Sequence, residues 1–211
     1  MLFLGSIILV LIYSVVPIPL TPLMVLRSVS SLGSDKLVGI RYDWVPLDEI
    51  SLSMQKAVIK AEDANFFDHA GFDLEAIQKA LRYNRRHKRI KGASTITQQT
   101  AKNVFLIPQR SWVRKGLEAY FTVMIETFWT KERILEVYLN VIETGEGVYG
   151  VEAAAQKYFK TSASKLNSPQ ASLIAAVLPN PRRFKIDRPS SYVMKRQSRI
   201  LRRPGPVIRQ D

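Results

Sequence analysis

The chain opens on an unbroken apolar stretch. Residues 1–26 carry no charged side chain, and LFLGSIILVLIYSVV runs from Leu2 to Val16 before Pro17, Pro19 and Pro22 interrupt it. A bilayer core about 30 Å thick needs ~20 helical residues, with ~17 as the short limit. Leu2–Leu20 therefore predicts a single transmembrane anchor over residues 1–26, and no small-x-small site follows that would let it be cleaved. A buried core helix is the plainer alternative. Residues 27–35 read as a Ser/Gly-containing linker, and Lys36–Val45 as a short extended segment that Pro46 ends.

Beyond Pro46 the apolar positions fall at helical spacing. Met54, Ala57, Val58 and Ala61 form one face, and Leu74, Ile77, Ala80 and Leu81 a second. Val113, Leu117, Tyr120, Phe121, Met124 and Phe128 form the longest, and Ile134, Val137, Tyr138 and Val141 a fourth. Ala171–Leu178 predicts a short buried helix that stops before Pro179. The pattern predicts one mainly α domain over residues 36–203, followed by an atypical tail, 204–211.

Composition narrows the chemistry. With 46% hydrophobic and 23% charged residues in 211 the chain can bury a core, which excludes wholesale disorder. It has no cysteine and only two histidines, His69 and His87, so thiol chemistry and multi-histidine metal centres are excluded. Carboxylates, hydroxyls, amides and cations remain. A net charge of +13 points to an anionic partner: nucleic acid, acidic lipid or a phosphorylated substrate.

Four segments hold candidate chemistry. Glu62-Asp63 lies where the first amphipathic helix ends, near Phe66 and Phe67. The negative helix end and water exclusion would both make a carboxylate there a stronger base; an ordinary exposed acidic pair is the bland reading. In Gly92-Ala93-Ser94-Thr95-Ile96-Thr97-Gln98-Gln99-Thr100-Ala101-Lys102-Asn103, Ser94 is a candidate N-cap and Thr95-x-x-Gln98 matches a capping box. Thr95, Gln98, Gln99 and Lys102 share one helical face suited to sugar hydroxyls and phosphate oxygens, or simply to solvent. Arg114 and Glu118 stand at i,i+4, where an intrahelical ion pair is the simplest reading. Asn140, Gly145 and Gly150 punctuate a loop that carries Glu143 and Glu146, and glycines there most simply mean turns. Ser53-x-x-Lys56 and Ser162-x-x-Lys165 resemble a serine-nucleophile signature, but no companion motif accompanies them.

Taken in order, the segments resemble the glycosyltransferase module of bacterial peptidoglycan polymerases, the one shared with class A penicillin-binding proteins. Glu62-Asp63-x-x-Phe66-x-x-His69-x-Gly71-x-Asp73 is similar to its first motif, and Gly92–Gln99 with Lys102-Asn103 to its second. Arg114-Lys115-x-x-Glu118 is similar to the third, and Lys131-x-x-Ile134-Leu135-x-x-Tyr138-Leu139-Asn140 with Gly145 and Gly150 to the fourth. Trp44-Val45-Pro46 and Leu178-Pro179-Asn180-Pro181 place the resemblance closest to the monofunctional branch.

The resemblance implies a lysozyme-like α fold after the anchor, and polymerisation of lipid II outside the bacterial inner membrane, on the periplasmic side. It implies Glu62 and Glu118 as the catalytic carboxylates. Ser94, Thr95, Gln98, Gln99, Lys102, Asn103, Arg110, Arg114 and Lys115 would bind substrate. No cofactor is obligatory, with Mg²⁺ or another divalent cation a candidate at the pyrophosphate. Lipid II, nascent lipid-linked glycan, membrane lipids and cell-division or elongation proteins are the implied partners, and nucleic acid is not. A lytic transglycosylase or lysozyme-type hydrolase is the alternative enzyme. A basic anchored protein whose Arg82–Lys91 run binds nucleic acid or acidic lipid is the non-enzymatic one.

Overall fold

A computed structural model describes residues 2–31, 39–87, 92–109 and 111–206. Helices form where a capping side chain meets an apolar stripe. Ser51 accepts from Met54 N and starts α3, and Thr130 accepts from Arg133 N and starts α7. Each such cap is worth about 1 kcal/mol. The element order is α1 (Leu2–Tyr13), α2 (Pro22–Ser31), β1 (Arg41–Tyr42), α3 (Leu52–Glu62), α4 (Leu74–Arg86), α5 (Ile96–Phe105) and α6 (Trp112–Phe128). There follow α7 (Lys131–Val141), β2 (Glu143–Gly145), β3 (Val148–Tyr149), α8 (Val151–Ala154), α9 (Ser168–Val177) and α10 (Ser191–Arg202).

The fold is mainly helical, as the spacing predicts. α7 lies at its centre: Ile134, Leu135, Val137, Tyr138, Leu139, Asn140 and Val141 are all buried, well beyond the single predicted stripe. Burying each large apolar side chain contributes roughly 1.5–3 kcal/mol. α5 packs on α6 and α7, while α9 packs on α3 and α10. A three-stranded sheet, ordered β1-β3-β2, packs on α8, with β1 parallel and β2 antiparallel to β3. Asn140 ties α7 to the segment that follows β1. Its Oδ1 accepts from Val45 N at 3.0 Å and its Nδ2 donates to Val45 O at 2.8 Å. Gly150, at φ +79°, lies so close to the end of α7 that a Cβ would meet Asn140 O at 2.5 Å, so only glycine fits that turn.

The structure corrects several expectations. The first apolar run does not form one long helix. α1 stops at Tyr13 and α2 begins afresh at Pro22, because Pro17 lacks an N–H and disfavours helix in the residue before it. Among the described residues no helix is long and apolar enough to cross a membrane. α1 lies along α6 instead: Ser6 Oγ and Tyr120 OH are 2.9 Å apart, and Trp129 Nε1 donates to Val10 O at 2.8 Å. Arg133 donates to Tyr13 O and Val16 O, satisfying carbonyls that the end of α1 leaves open.

Residues 27–31, expected in a linker, belong to α2; the rest of that linker, 32–35, lies outside the described residues. The extended segment shrinks to β1, its start lying outside them as well. The long face of α6 is only partly inward: Phe121 and Met124 pack against the core, and Phe121 stacks on Phe105 at 4.5 Å. The fully buried residues of the helix are Glu118, Thr122 and Ile125, whereas Val113, Leu117 and Phe128 are exposed. α4 buries none of its residues, and Leu74 and Leu81 face outward. Residues 88–91 of the basic run and 207–211 of the tail lie outside the described residues. α10 was not anticipated.

Candidate active site

Glu62 is the last residue of α3, where Asp63 leaves the helix. A buried network fixes that exit. Asp63 accepts from Ile96 N at 3.0 Å, and His69 Nε2 lies 3.0 Å from its Oδ1. Burial raises the Asp63 carboxyl above the usual range, and the His69 and Ile96 hydrogen bonds oppose this. Lys131 Nζ donates to His69 O at 2.6 Å and to Glu126 Oε1 at 2.8 Å, and lies over the Phe66 ring. The end of α3, the start of α5 and the start of α7 are thereby locked together around Glu62.

Both oxygens of Glu62 are held. Gln99 Nε2 donates to Oε2 at 3.1 Å, and Arg196 Nη2 donates to Oε1 at 3.0 Å. Tyr138 OH, fully buried, donates to Gln99 Oε1 at 3.3 Å and so orients the amide. Burial pushes the Tyr138 hydroxyl far above its ordinary value, with Glu62 and Asp63 adding to the rise, which keeps it a donor. The aromatic cover expected from Phe66 and Phe67 is absent. Phe66 packs against Phe67 and His69.

Glu62 opens into a cavity of about 400 Å³ lined also by Gln99, Lys102, Asn103, Arg114 and Glu143. Burial lowers the Lys102 ammonium below the usual lysine range; Glu118 pulls it back up, and Arg114 and Lys115 add to the fall. Glu118 is only 3% exposed. Arg114 Nη1 and Lys115 Nζ donate to its two oxygens at 2.7 and 2.5 Å. It neutralises a cation cluster rather than facing the cavity.

The expected binding residues therefore divide. Gln99, Lys102, Asn103 and Arg114 come together with Glu62. Thr95 and Gln98 do not: they are buried and consumed by the reciprocal cap of α5, and Thr95 Oγ1 also donates to Gly71 O at 2.7 Å. The cap of α5 is thus Thr95, not Ser94, which is exposed outside the helix. Lys115 reaches the site only through Glu118, and Arg110 lies outside the described residues. Among the described residues no three acidic or histidine side chains cluster, and Arg114 and Lys115 occupy both Glu118 oxygens.

Arg196 and Arg27 were not anticipated. Arg196 follows Glu62 by 134 residues and lies on a helix that shows no signature of its own. Arg27 stands in what reads as a linker. Glu143 was visible but looked like a turn residue.

Comparison with known proteins follows the same outline. A family described as "Transglycosylase" matches residues 33–204. A "Biosynthetic peptidoglycan transglycosylase" of Bdellovibrio bacteriovorus is 71% identical over 206 residues, covering 98% of this chain and 82% of that protein. Proteins of the same name from Bacteroides thetaiotaomicron and Escherichia coli are 54% and 58% identical. They cover 95% and 90% of this chain, and 81% and 79% of their own lengths.

Proposed function

The chain belongs to the transglycosylase family, and from that premise we propose that it polymerises peptidoglycan glycan strands from lipid II. It is a peptidoglycan glycosyltransferase of the bacterial cell envelope. One observation carries the mechanism: a carboxylate with both oxygens held opens into the same cavity as two cations, Lys102 and Arg114.

The acceptor's 4-hydroxyl attacks the anomeric carbon of the donor's N-acetylmuramic acid. The new C1–O4 bond forms as the bond from C1 to the pyrophosphate oxygen breaks, and the configuration inverts from α to β. Glu62 takes the hydroxyl proton. Lys102 and Arg114 offset the charge that grows on the lipid pyrophosphate, with Glu118 holding Arg114 and Lys115 in place. Asn103 offers its amide to the sugars, and Gln99 holds Glu62. A glycan hydrolase, which releases a neutral sugar hydroxyl, has no use for the two cations.

The catalytic domain, residues 36–203, would work at the periplasmic face of the inner membrane. Support for the membrane setting comes from the outward apolar side chains of α1 (Phe3, Leu4, Ile8) beside those of α6 (Trp112, Val113, Leu117). Such a face, with a basic body behind it, suits an anionic bilayer.

Purified protein given lipid II should build glycan polymer, and a folded Glu62→Gln variant should do so about 10²- to 10⁴-fold more slowly, the usual loss when a general base is removed. Near wild-type turnover by Glu62→Gln would remove Glu62 as the base. Cleavage of finished strands without synthesis would replace the polymerase by a hydrolase.

A further inference from the structure

Glu143, the first residue of β2, is only 7% exposed, yet its carboxylate makes no hydrogen bond to another described residue. Its nearest cation is Arg27 of α2, whose Nη2 is 4.0 Å from Oε2. The Arg27 side chain is 38% exposed, but its Nε–H is buried without a partner. Burial raises the Glu143 carboxyl above the usual range, while Arg27 and Arg182 pull it down. A buried donor is normally satisfied, and leaving the Arg27 Nε–H open is costly unless a ligand completes it, while the Glu143 oxygens are not sealed from solvent. Both residues line the cavity that Glu62 opens into, with the aliphatic Leu23 and Ile142 beside them.

An acceptor and a donor set side by side, next to aliphatic carbon, match a secondary amide. Its N–H would donate to Glu143, its carbonyl would accept from Arg27, and its methyl group would rest on Leu23 and Ile142. A phosphate would be repelled by Glu143 and an ammonium by Arg27, so neither charge suits the pair. Resting on the polymerase reading above, we propose that Arg27 and Glu143 form a subsite for the acetamido group of a substrate amino sugar. α2 would then supply one wall of specificity, from a position ahead of the matched stretch 33–204.

The test compares lipid II with a lipid-linked disaccharide whose 2-acetamido groups are replaced by hydroxyls. Wild type should prefer lipid II by about 10- to 100-fold in kcat/KM, the discrimination expected when an analogue leaves a buried charged hydrogen bond unmade. Arg27→Met and Glu143→Leu, confirmed folded by melting curves, should lose that preference by slowing lipid II alone. Glu143→Gln, which keeps an acceptor oxygen, should retain most of it. Equal use of both substrates by wild type, or undiminished preference in both truncated variants, would overturn the subsite while leaving polymerisation intact. No polymer from wild type with either substrate would overturn the polymerase reading and the subsite with it.

Discussion

Arg196→Ala isolates the support of the catalytic carboxylate from substrate contact. Arg196 does not line the cavity, but it donates to Glu62 Oε1 at 3.0 Å. Its side chain is 25% exposed and that of Glu62 12%, so water screens the pair only in part. Opposite charges at that distance attract by about 5 kcal/mol at an effective dielectric constant of ~20, and desolvation cancels much of this. The remainder acts on geometry. Without Arg196, Glu62 keeps only Gln99 and can rotate away from the acceptor hydroxyl, and a misplacement of about 1 Å typically costs ~10² in rate. Initial rates of lipid II polymerisation should therefore show kcat down roughly 100-fold with KM nearly unchanged. Arg196→Lys should recover part of the loss, since one ammonium can reach one oxygen but cannot reproduce the planar fork. A folded Arg196→Ala enzyme with kcat unchanged, or with its whole loss in KM, would refute the reasoning.

Two further outcomes follow from the charges. Burial lowers Lys102, so its ammonium should be lost earlier than an ordinary lysine's as pH rises, and polymerisation should fall on the alkaline side. Lys102→Arg should be slower at neutral pH yet lack that fall in a pH–kcat profile, because the guanidinium stays charged; an unchanged alkaline limb would clear Lys102. Asp73 caps α4 through Ala76 N at 2.7 Å and accepts from Asn65, and these bonds hold its carboxyl below the usual range. A lowered folded-state value means stability that is present above the unfolded carboxylate range and lost as pH falls through the folded one. Asp73→Asn keeps a capping oxygen but loses the charge, so it should be less stable at neutral pH by up to ~1 kcal/mol, with the gap to wild type closing in acid; a gap that widens in acid would reverse the assignment.

The sequence was legible where one residue's neighbours along the chain decide its fate. α3, α7 and α9 follow from spacing, and the cap of α5 from Thr95-x-x-Gln98. It misled where an apolar stripe was assumed to face the core. On α6 the fully buried positions are Glu118, Thr122 and Ile125, because a buried ion-pair cluster takes part of the inner face, and Val113, Leu117 and Phe128 are left outward. The run of residues 2–20 reads as one helix only if the prolines lie at its end, whereas α1 stops at Tyr13. Gln99 and Lys102 were found because they share a helix. Arg196 and Arg27 were not, because only tertiary packing brings them to Glu62 and Glu143, and no local spacing encodes that meeting.

The two partners of Glu62 have a consequence for traffic in the site. Gln99 presents its amide nitrogen because Tyr138 occupies its carbonyl oxygen, and Arg196 has no acceptor to offer. Both neighbours can give a hydrogen bond to the carboxylate, and neither can take a proton from it. A proton lifted from a substrate hydroxyl thus finds no wire leading back through the protein. It leaves by the mouth of the cleft, on solvent or on the departing group, and only then is the base ready again.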